Sequence, residues 1–275
     1  MKNTLYFEDC KEVLRRLPDN SIDAFIQDPP FEVTSQSWDV GFIESLPELW
    51  HLWLQKAKKN AVFVFKATFP FAIDLINSNR KMFKYEWLWK KNRLTNFVNA
   101  KRMPLRCVEY IFVFYAEQPT YNPVLRKTKN PQKKAREKKN SNTKIYNINN
   151  GSVFYSIPEY GQPVNLIEVP SEKEAFISNK GQQNRHPNRT NPKVWEYFLR
   201  TYTNEGDVIF DGYTGSGSVP EACINLNRNF IACENSEEYF PSTEKSLLKK
   251  MEVKKYGFPK TEITQSPTSL FYGLA

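Results

Sequence analysis

Asp28, Pro29, Pro30 and Phe31 are the residues of this chain whose types and order do chemistry most directly. They follow Ile22-Asp23-Ala24-Phe25-Ile26-Gln27, an apolar run that reads as a buried strand. A carboxylate, two consecutive prolines and an aromatic ring at a strand's C-terminal end make a rigid acceptor site beside a stacking surface. Each proline fixes φ and removes an N–H donor, so the local backbone offers carbonyls only. Such a site suits a flat group bearing an NH₂, with protons to donate and a π-face to cover. A nucleobase has both features.

A second cluster lies near the C-terminus. The strand Val208-Ile209-Phe210 runs into Asp211-Gly212-Tyr213-Thr214-Gly215-Ser216-Gly217-Ser218 and then into a helix, 219–226. Glycines let the backbone approach a ligand, and a helix N-terminus presents free N–H groups and a positive dipole. The strand Phe230-Ile231-Ala232-Cys233-Glu234 ends in an acid placed to hold ribose hydroxyls. Strand, turn, helix, strand and acid together read as a nucleoside-cofactor site. The dinucleotide pattern G-x-G-x-x-G is absent, because Pro220 stands where its third glycine belongs, which argues against NAD.

These clusters need a scaffold that places strand ends side by side. Up to about residue 120, strand-like and helix-like stretches alternate, with strands at 5–7, 22–27, 61–65, 85–89 and 108–115 and helices at 10–17, 43–59 and 70–79. The alternation resumes after 190 and includes helices at 194–202 and 237–251. Such texture implies an α/β fold with a mostly parallel sheet and helices on its faces. Between the halves the pattern breaks. Arg126 to Lys139 carries eight basic residues against one acid, Glu137, and an Asn-rich stretch and a Pro-punctuated segment follow. The organisation expected is 1–120 as one half, 121–185 as a basic insert without helical or strand period, 186–255 as the other half and 256–275 as a tail.

The formal net charge of +9 over 275 residues favours a polyanionic partner, nucleic acid before membrane, because no basic amphipathic helix stands out. Cys10, Cys107, Cys223 and Cys233 have no C-x-x-C spacing, and His51 and His186 are the two histidines. A metal site is therefore not expected, and scattered cysteines suit reduced thiols in a cytoplasm. No apolar run approaches the about 18 residues of a spanning helix, and the first residues lack a signal-peptide core.

The order of these motifs resembles that of the permuted β-class amino-methyltransferases of DNA, which use S-adenosylmethionine. In that family a D-P-P-Y/F motif comes first, a target-recognition region follows, and then come an H-P-x-x-K-P element, D-x-F-x-G-S-G-S/T and an acid. This chain offers Asp28 to Phe31, then His186-Pro187-Asn188-Arg189-Thr190-Asn191-Pro192, Asp211 to Ser218, and Ala232-Cys233-Glu234. The likeness spans roughly 1–120 and 184–250. Phe7-Glu8-Asp9-Cys10 is similar to a family element whose Asp contacts the cofactor's adenine. The resemblance implies a Rossmann-like class I methyltransferase sheet, mostly parallel with one antiparallel edge strand, and an inserted target-recognition region. It implies catalysis by Asp28, Pro29, Pro30 and Phe31. It implies cofactor binding by Asp9, His186, Pro187, Asn188, Arg189, Asp211, Tyr213, Gly215, Ser216, Gly217 and Glu234. The element at 186–192 has one extra residue before its final proline and no counterpart of the family's lysine, which puts cofactor contacts there in question.

The activity implied is methyl transfer to the N6 amine of a flipped-out adenine in double-stranded DNA. Members acting on cytosine N4 more often carry Ser in place of Asp28, and a protein-glutamine methyltransferase carries Asn-Pro-Pro. A catalytically silent DNA-binding protein that kept the fold is the reading from another class. Lys91, Arg93, Asn96, Lys101 and Arg102 are candidate DNA contacts, a solvated loop being nearly as good an account. Arg126, Lys127, Lys133, Lys134 and Arg136 of the basic run are further ones, favoured over a disordered, solvated loop by their place between the two halves. Trp38, Trp50 and Trp53 read as core. The resemblance also admits a homodimer, a separate restriction endonuclease as partner, and the cytoplasm of a bacterial or phage-infected cell.

Overall fold

Alternate residues of the apolar strands enter two different cores, as the period of two in a β-strand requires. Phe25, Phe63, Phe65, Phe112, Phe114 and Phe210 point into one. Their neighbours Ala24, Ile26, Val62, Val64, Ile111, Val113 and Ile209 point into the other. The sheet is thus covered on both faces, and the middles of its central strands, 24–26, 61–65 and 208–210, are unbroken apolar runs.

The structure, a computed structural model, describes residues 3–32, 40–129, 131–139, 152–171 and 189–253, the side chains of 132–139 and 152–157 apart. Trp38, His186, Pro187, Asn188 and the tail from 256 lie outside the described residues. The chain divides into two compact units, Met1–Asn122 with Asn165–Ala275, and Pro123–Val164.

In the larger unit the elements run β1 (Thr4–Phe7), α1 (Cys10–Arg16), β2 (Ile22–Gln27), α2 (Phe42–Lys56), β3 (Ala57–Ala67), α3 (Phe71–Ser78), β4 (Phe83–Thr95) and β5 (Arg106–Phe114). After the smaller unit come β10 (Leu166–Glu168), α4 (Pro192–Tyr202), β11 (Val208–Asp211), α5 (Ser218–Leu226), β12 (Asn229–Glu234) and α6 (Phe240–Val253). The sheet order is β1-β12-β11-β2-β3-β5-β4-β10. Only β5 runs against its neighbours, β3 and β4. It is the single antiparallel strand, and β4 and β10 lie outside it.

Helices α1, α2 and α3 cover the phenylalanine face with Val13, Leu14, Leu46, Leu49, Trp50, Trp53, Phe71 and Leu75. Helices α4, α5 and α6 cover the aliphatic face with Trp195, Phe198, Leu199, Val219, Ala222, Phe240 and Leu247. Trp50 and Trp53 are core residues, as their place in an amphipathic helix suggested.

The smaller unit departs from its irregular reading. It holds β6 (Arg126–Lys127) paired with β9 (Tyr160–Gly161), and β7 (Gln132–Lys139) paired with β8 (Ser152–Ile157), both antiparallel. The run 132–139 is almost entirely polar, so it lacks the apolar alternation by which a strand is read from sequence. Residues 166–168, also inside the stretch read as insert, pair parallel with β4 in the large sheet. Among the described residues no helix is long and apolar enough to cross a membrane.

One topological feature positions the site. Strand β2 connects through α2 to β3 on one side, and β11 connects through α5 to β12 on the other, while β2 and β11 are neighbours. Chain paths that leave adjacent parallel strands in opposite directions open a crevice beyond their C-terminal ends, where ligands bind in such sheets.

Candidate active site

Both motifs sit at that crevice. In register Phe210 faces Phe25, so the ends of β11 and β2, Asp211 and Asp28, come out side by side. Gln27, fully buried, ties them: its Nε2 donates to the Phe210 carbonyl at 2.9 Å and its Oε1 accepts from Gly212 N–H at 3.0 Å. Gly212 packs closely there: a Cβ would meet Gln27 Oε1 at 3.1 Å and Cys10 and Phe210 at 3.2 Å, so those side chains would have to shift to admit it.

The crevice opens into a cavity of about 620 Å³. Asp28, Pro29, Pro30, Phe31, Asp9, Arg189, Asp211, Tyr213, Gly215, Ser216 and Glu234 all line it. Residues separated by most of the chain are thereby brought to one place.

On the β11 side, the turn is locked by its own backbone. Gly217 caps α5 at φ 79°, and its N–H donates to the Thr214 carbonyl at 2.9 Å. Glu234 accepts from Gly215 N–H at 2.7 Å through Oε2 and from Ser236 N–H at 2.8 Å through Oε1. Burial pushes its carboxyl up, and these N–H bonds only partly offset that. Asp9 caps α1, accepting from Lys11 N–H at 2.8 Å. Arg189 donates to the Ser216 carbonyl at 2.7 Å and to Glu221 at 2.6 Å, so it braces the turn from behind. Asp211 is almost wholly buried, and its Oδ1 accepts from Tyr213 N–H at 3.2 Å. Its Oδ2 is buried without a hydrogen-bond partner among the described residues. Burial, against the weaker pull of its hydrogen bonds, lifts this carboxyl to about 8.

On the β2 side a chain of charges runs from the end of β2 across β3 and β5 to β4, and sequence reading missed most of it. Lys66, at the end of β3, is 6% exposed. Its Nζ donates to Asp28 Oδ2 at 3.0 Å and to Thr190 Oγ1 at 2.9 Å, and lies 3.3 Å from Glu109 Oε2. Glu109, on β5, is also bridged by Lys91 of β4. Thr190 donates its hydroxyl proton to Asp28 Oδ2 at 2.8 Å. Burial draws the Lys66 ammonium down, but the Asp28 and Glu109 carboxylates outweigh it and the net is upward. Burial raises the Glu109 carboxyl, while Lys66 and Lys91 outweigh that and hold it below its usual range.

Lys91, expected to meet DNA phosphates, is therefore corrected: it is 8% exposed and bound to Glu109. A strand whose residues alternate between faces turned it inward. Of the Asp28 carboxylate, Oδ2 takes both bonds and Oδ1 takes none among the described residues. Phe31 packs against Phe71 with centroids 5.6 Å apart and lies 5.6 Å from the Lys66 ammonium.

The other candidate DNA contacts are dispersed. Arg93 lines the cavity mouth. Asn96 adopts φ 73° and accepts from Asn99 Nδ2 at 2.9 Å, so it builds the β4–β5 turn. Lys101 and Arg102 are exposed on the same loop. Arg126 and Lys127 are exposed on β6 of the smaller unit, where Arg126 donates to the Gln162 carbonyl at 2.9 Å. Lys133, Lys134 and Arg136 lie on β7, outside the described side chains. Lys66, Glu109 and Gln27 left one sequence signal, a charged or amide residue towards the ligand-bearing end of an apolar strand, whereas Thr190, in the loop before α4, left none.

A sheet of this order with a glycine turn and a carboxylate–Pro–Pro sequence at one crevice has the fold of class I methyltransferases. The chain matches the N6_N4_Mtase family model, described as DNA methylase, over residues 22–245, and it belongs to that family. It is 22% identical over 259 residues to the Type II methyltransferase M.HpaI of Haemophilus parainfluenzae, covering 90% of this chain and 74% of that protein. It is also 22% identical to the Type II methyltransferase M1.MboII of Moraxella bovis, covering 86% of this chain and 93% of that one. Among solved structures it resembles the M1.HpyAVI–SAM complex, with a TM-score of 0.57 and 22% identity, covering 89% of this chain and 98% of that one. It resembles the cytosine-N4-specific PvuII DNA methyltransferase with a TM-score of 0.62 and 16% identity, covering 92% of each chain. The chain is a DNA methyltransferase of the N6/N4 family.

Proposed function

We propose that this chain moves a methyl group from S-adenosylmethionine to the N6 amine of an adenine flipped out of double-stranded DNA. The observation that carries the reading is the Asp28 carboxylate, anchored through Oδ2 by Lys66 and Thr190 with Oδ1 taking no bond among the described residues, on the same cavity as Asp211, Gly215 and Glu234.

The residues on the β11 side fit the cofactor. Asp211 has a buried unpartnered oxygen and a carboxyl lifted by burial, which a cationic or N–H-bearing ligand would satisfy. Glu234 and Asp9 add acceptors for hydroxyl and amine groups at the rim. S-adenosylmethionine, when bound, supplies an electrophilic methyl group.

The chain's own part is to make a poor nucleophile usable. The exocyclic nitrogen of adenine has its lone pair delocalised into the ring. Asp28 Oδ1 and the Pro29 carbonyl accept its two N–H bonds, which drives the nitrogen towards sp³ and frees the lone pair. Fixed acceptors stabilise the positive charge that develops there, and the displaced proton passes to Asp28 or to water. Phe31 offers its ring to the base. The base is inaccessible within a duplex, so it must be flipped into the cavity. Asp28, rather than the Ser more usual in cytosine-directed members, supports adenine.

Long-read sequencing of DNA from a methylation-free host expressing the chain tests the reading. N6-methyladenine at a fixed site is the expected result; N4-methylcytosine, or no modified base, would overturn it.

The Asp211 carboxyl gives a second test. Its folded pKa of about 8 lies above the ordinary carboxylate value, so the ligand-free protein loses stability as pH rises from about 4 to about 8. A cationic ligand favours the carboxylate and so releases a proton at neutral pH. Binding heats measured by calorimetry at pH 7 should therefore differ between buffers of different ionisation enthalpy. Asp211→Asn should largely remove that difference. Buffer-independent heats for the unsubstituted chain would refute the role.

A further inference from the structure

Strands β4 and β5 run out past the cavity as an antiparallel ribbon whose last register pair is Thr95 with Arg106. Arg93, Thr95 and Arg106 line the cavity mouth. Beyond them the loop makes one tight turn: Asn99 N–H donates to the Asn96 carbonyl at 3.1 Å, and Arg102 N–H donates to that of Asn99 at 2.8 Å. The tip is thus held by its own hydrogen bonds.

What this turn presents is unusual for a solvated loop. Val98 is 99% exposed and Phe97 is 62% exposed, with Leu94 and Met103 also exposed beside them. The flanks carry exposed Lys90, Arg93, Lys101, Arg102 and Arg106, and no acid occurs between Glu86 and Glu109. An apolar point ringed by cations, standing on the rim of a cavity, is complementary to a duplex. The cations meet phosphates, while the point enters the stack and unstacks a step.

We infer that Phe97 and Val98 form a wedge that enters the duplex beside the target base and holds open the space the base leaves when it turns into the cavity. The inference rests on the reading of this chain as acting on a flipped-out base, and it identifies the residues that would drive the flip. Exposed Lys101 and Arg102 seat the loop on the phosphates. Phe97 and Val98 supply the apolar volume that replaces the lost stacking.

The test uses the full chain with Phe97→Ala and Val98→Ala combined. Both side chains are exposed, so the substitutions leave the fold and S-adenosylmethionine binding in place. On a duplex carrying the site found by sequencing, the single-turnover methylation rate should fall roughly 10–100-fold. On the same duplex with the target base mispaired or opposite an abasic position, the loss should shrink to about threefold or less, because an unpaired base is easily extruded. An equal loss on paired and unpaired targets would mean a plain affinity contact and overturn the wedge. So would an unchanged rate on the paired duplex, including the case in which the double variant instead loses binding to phosphatidylserine vesicles. A chain that methylates no DNA in the host overturns the functional reading and the wedge with it. A methylating chain whose double variant keeps its rate overturns the wedge alone.

Discussion

Asp28→Ala is expected to abolish methyl transfer and to leave S-adenosylmethionine binding within a few-fold of the unsubstituted chain. The alanine removes the Oδ1 acceptor for the amine and also the Oδ2 anchor on Lys66 and Thr190. Loss of one preorganised electrostatic contact of this kind costs on the order of 10²–10³ in kcat. Here the Pro29 carbonyl alone would have to make the nitrogen nucleophilic, so a fall of at least that size is expected. Asp28→Asn keeps the shape and one acceptor but loses the charge, and should fall between the two. Cofactor affinity by calorimetry separates chemistry from folding, because the hydrogen bonds that hold Asp211, Gly215 and Glu234 do not involve Asp28. Retention of more than about a tenth of the activity by Asp28→Ala would end its assignment as the amine acceptor.

Lys66→Met has the second largest expected effect, and it reaches stability as well as rate. The ammonium is buried between Asp28 and Glu109, with Lys91 completing the set. Two acids alternate with two cations, so the buried charges balance. Removing one partner of a buried pair leaves an uncompensated charge, which costs about 3–5 kcal/mol. For a chain of this size that lowers the melting temperature by roughly 6–20 °C.

The pH window follows from the two shifts. Lys66 is raised, so its contribution is present throughout the neutral range and is lost only as pH climbs beyond the ordinary lysine value towards the folded one. Glu109 is lowered, so its contribution is present above the ordinary glutamate value and fades as pH falls towards its depressed folded value. Acid should therefore unfold the unsubstituted chain partly through this network. Adding Glu109→Gln to Lys66→Met should recover part of the loss, because the orphaned acid is then neutral. A strictly additive double variant would contradict the coupling. The kcat should also fall by more than KM for S-adenosylmethionine rises, since the ammonium binds Asp28 directly and meets the cofactor side only through Thr190.

The legible part of this protein was local. Strands β2, β11 and β12 and helices α4 and α5 were readable because apolar periodicity and glycine punctuation lie within a few residues of one another. Asp28 and the Asp211–Ser218 turn stood out for the same reason. β4 and β7 were shortened or missed, because polar residues extend a strand wherever a neighbour supplies its hydrogen bonds. The apolar tip at Phe97 and Val98 looked like part of a mixed polar loop, since its exposure depends on the ribbon that carries it.

By itself, then, the sequence determined the α/β alternation, the order of motifs and the carboxylate–proline–proline stop at the end of a buried strand. The tertiary structure alone decided how that carboxylate is held. Lys66 and Asp28 are 38 residues apart, and Thr190 and Lys66 are 124 apart. Asp28, Lys66, Glu109 and Lys91 stand on or just beyond adjacent strands, and no spacing rule links them. The register of β2, β3, β5 and β4 sets them side by side at the crevice. The physical reason is the reach of each interaction. Helical caps and turn bonds close over a few residues and leave a trace in the sequence, whereas a buried ion network closes across strands and exists only once the sheet has formed.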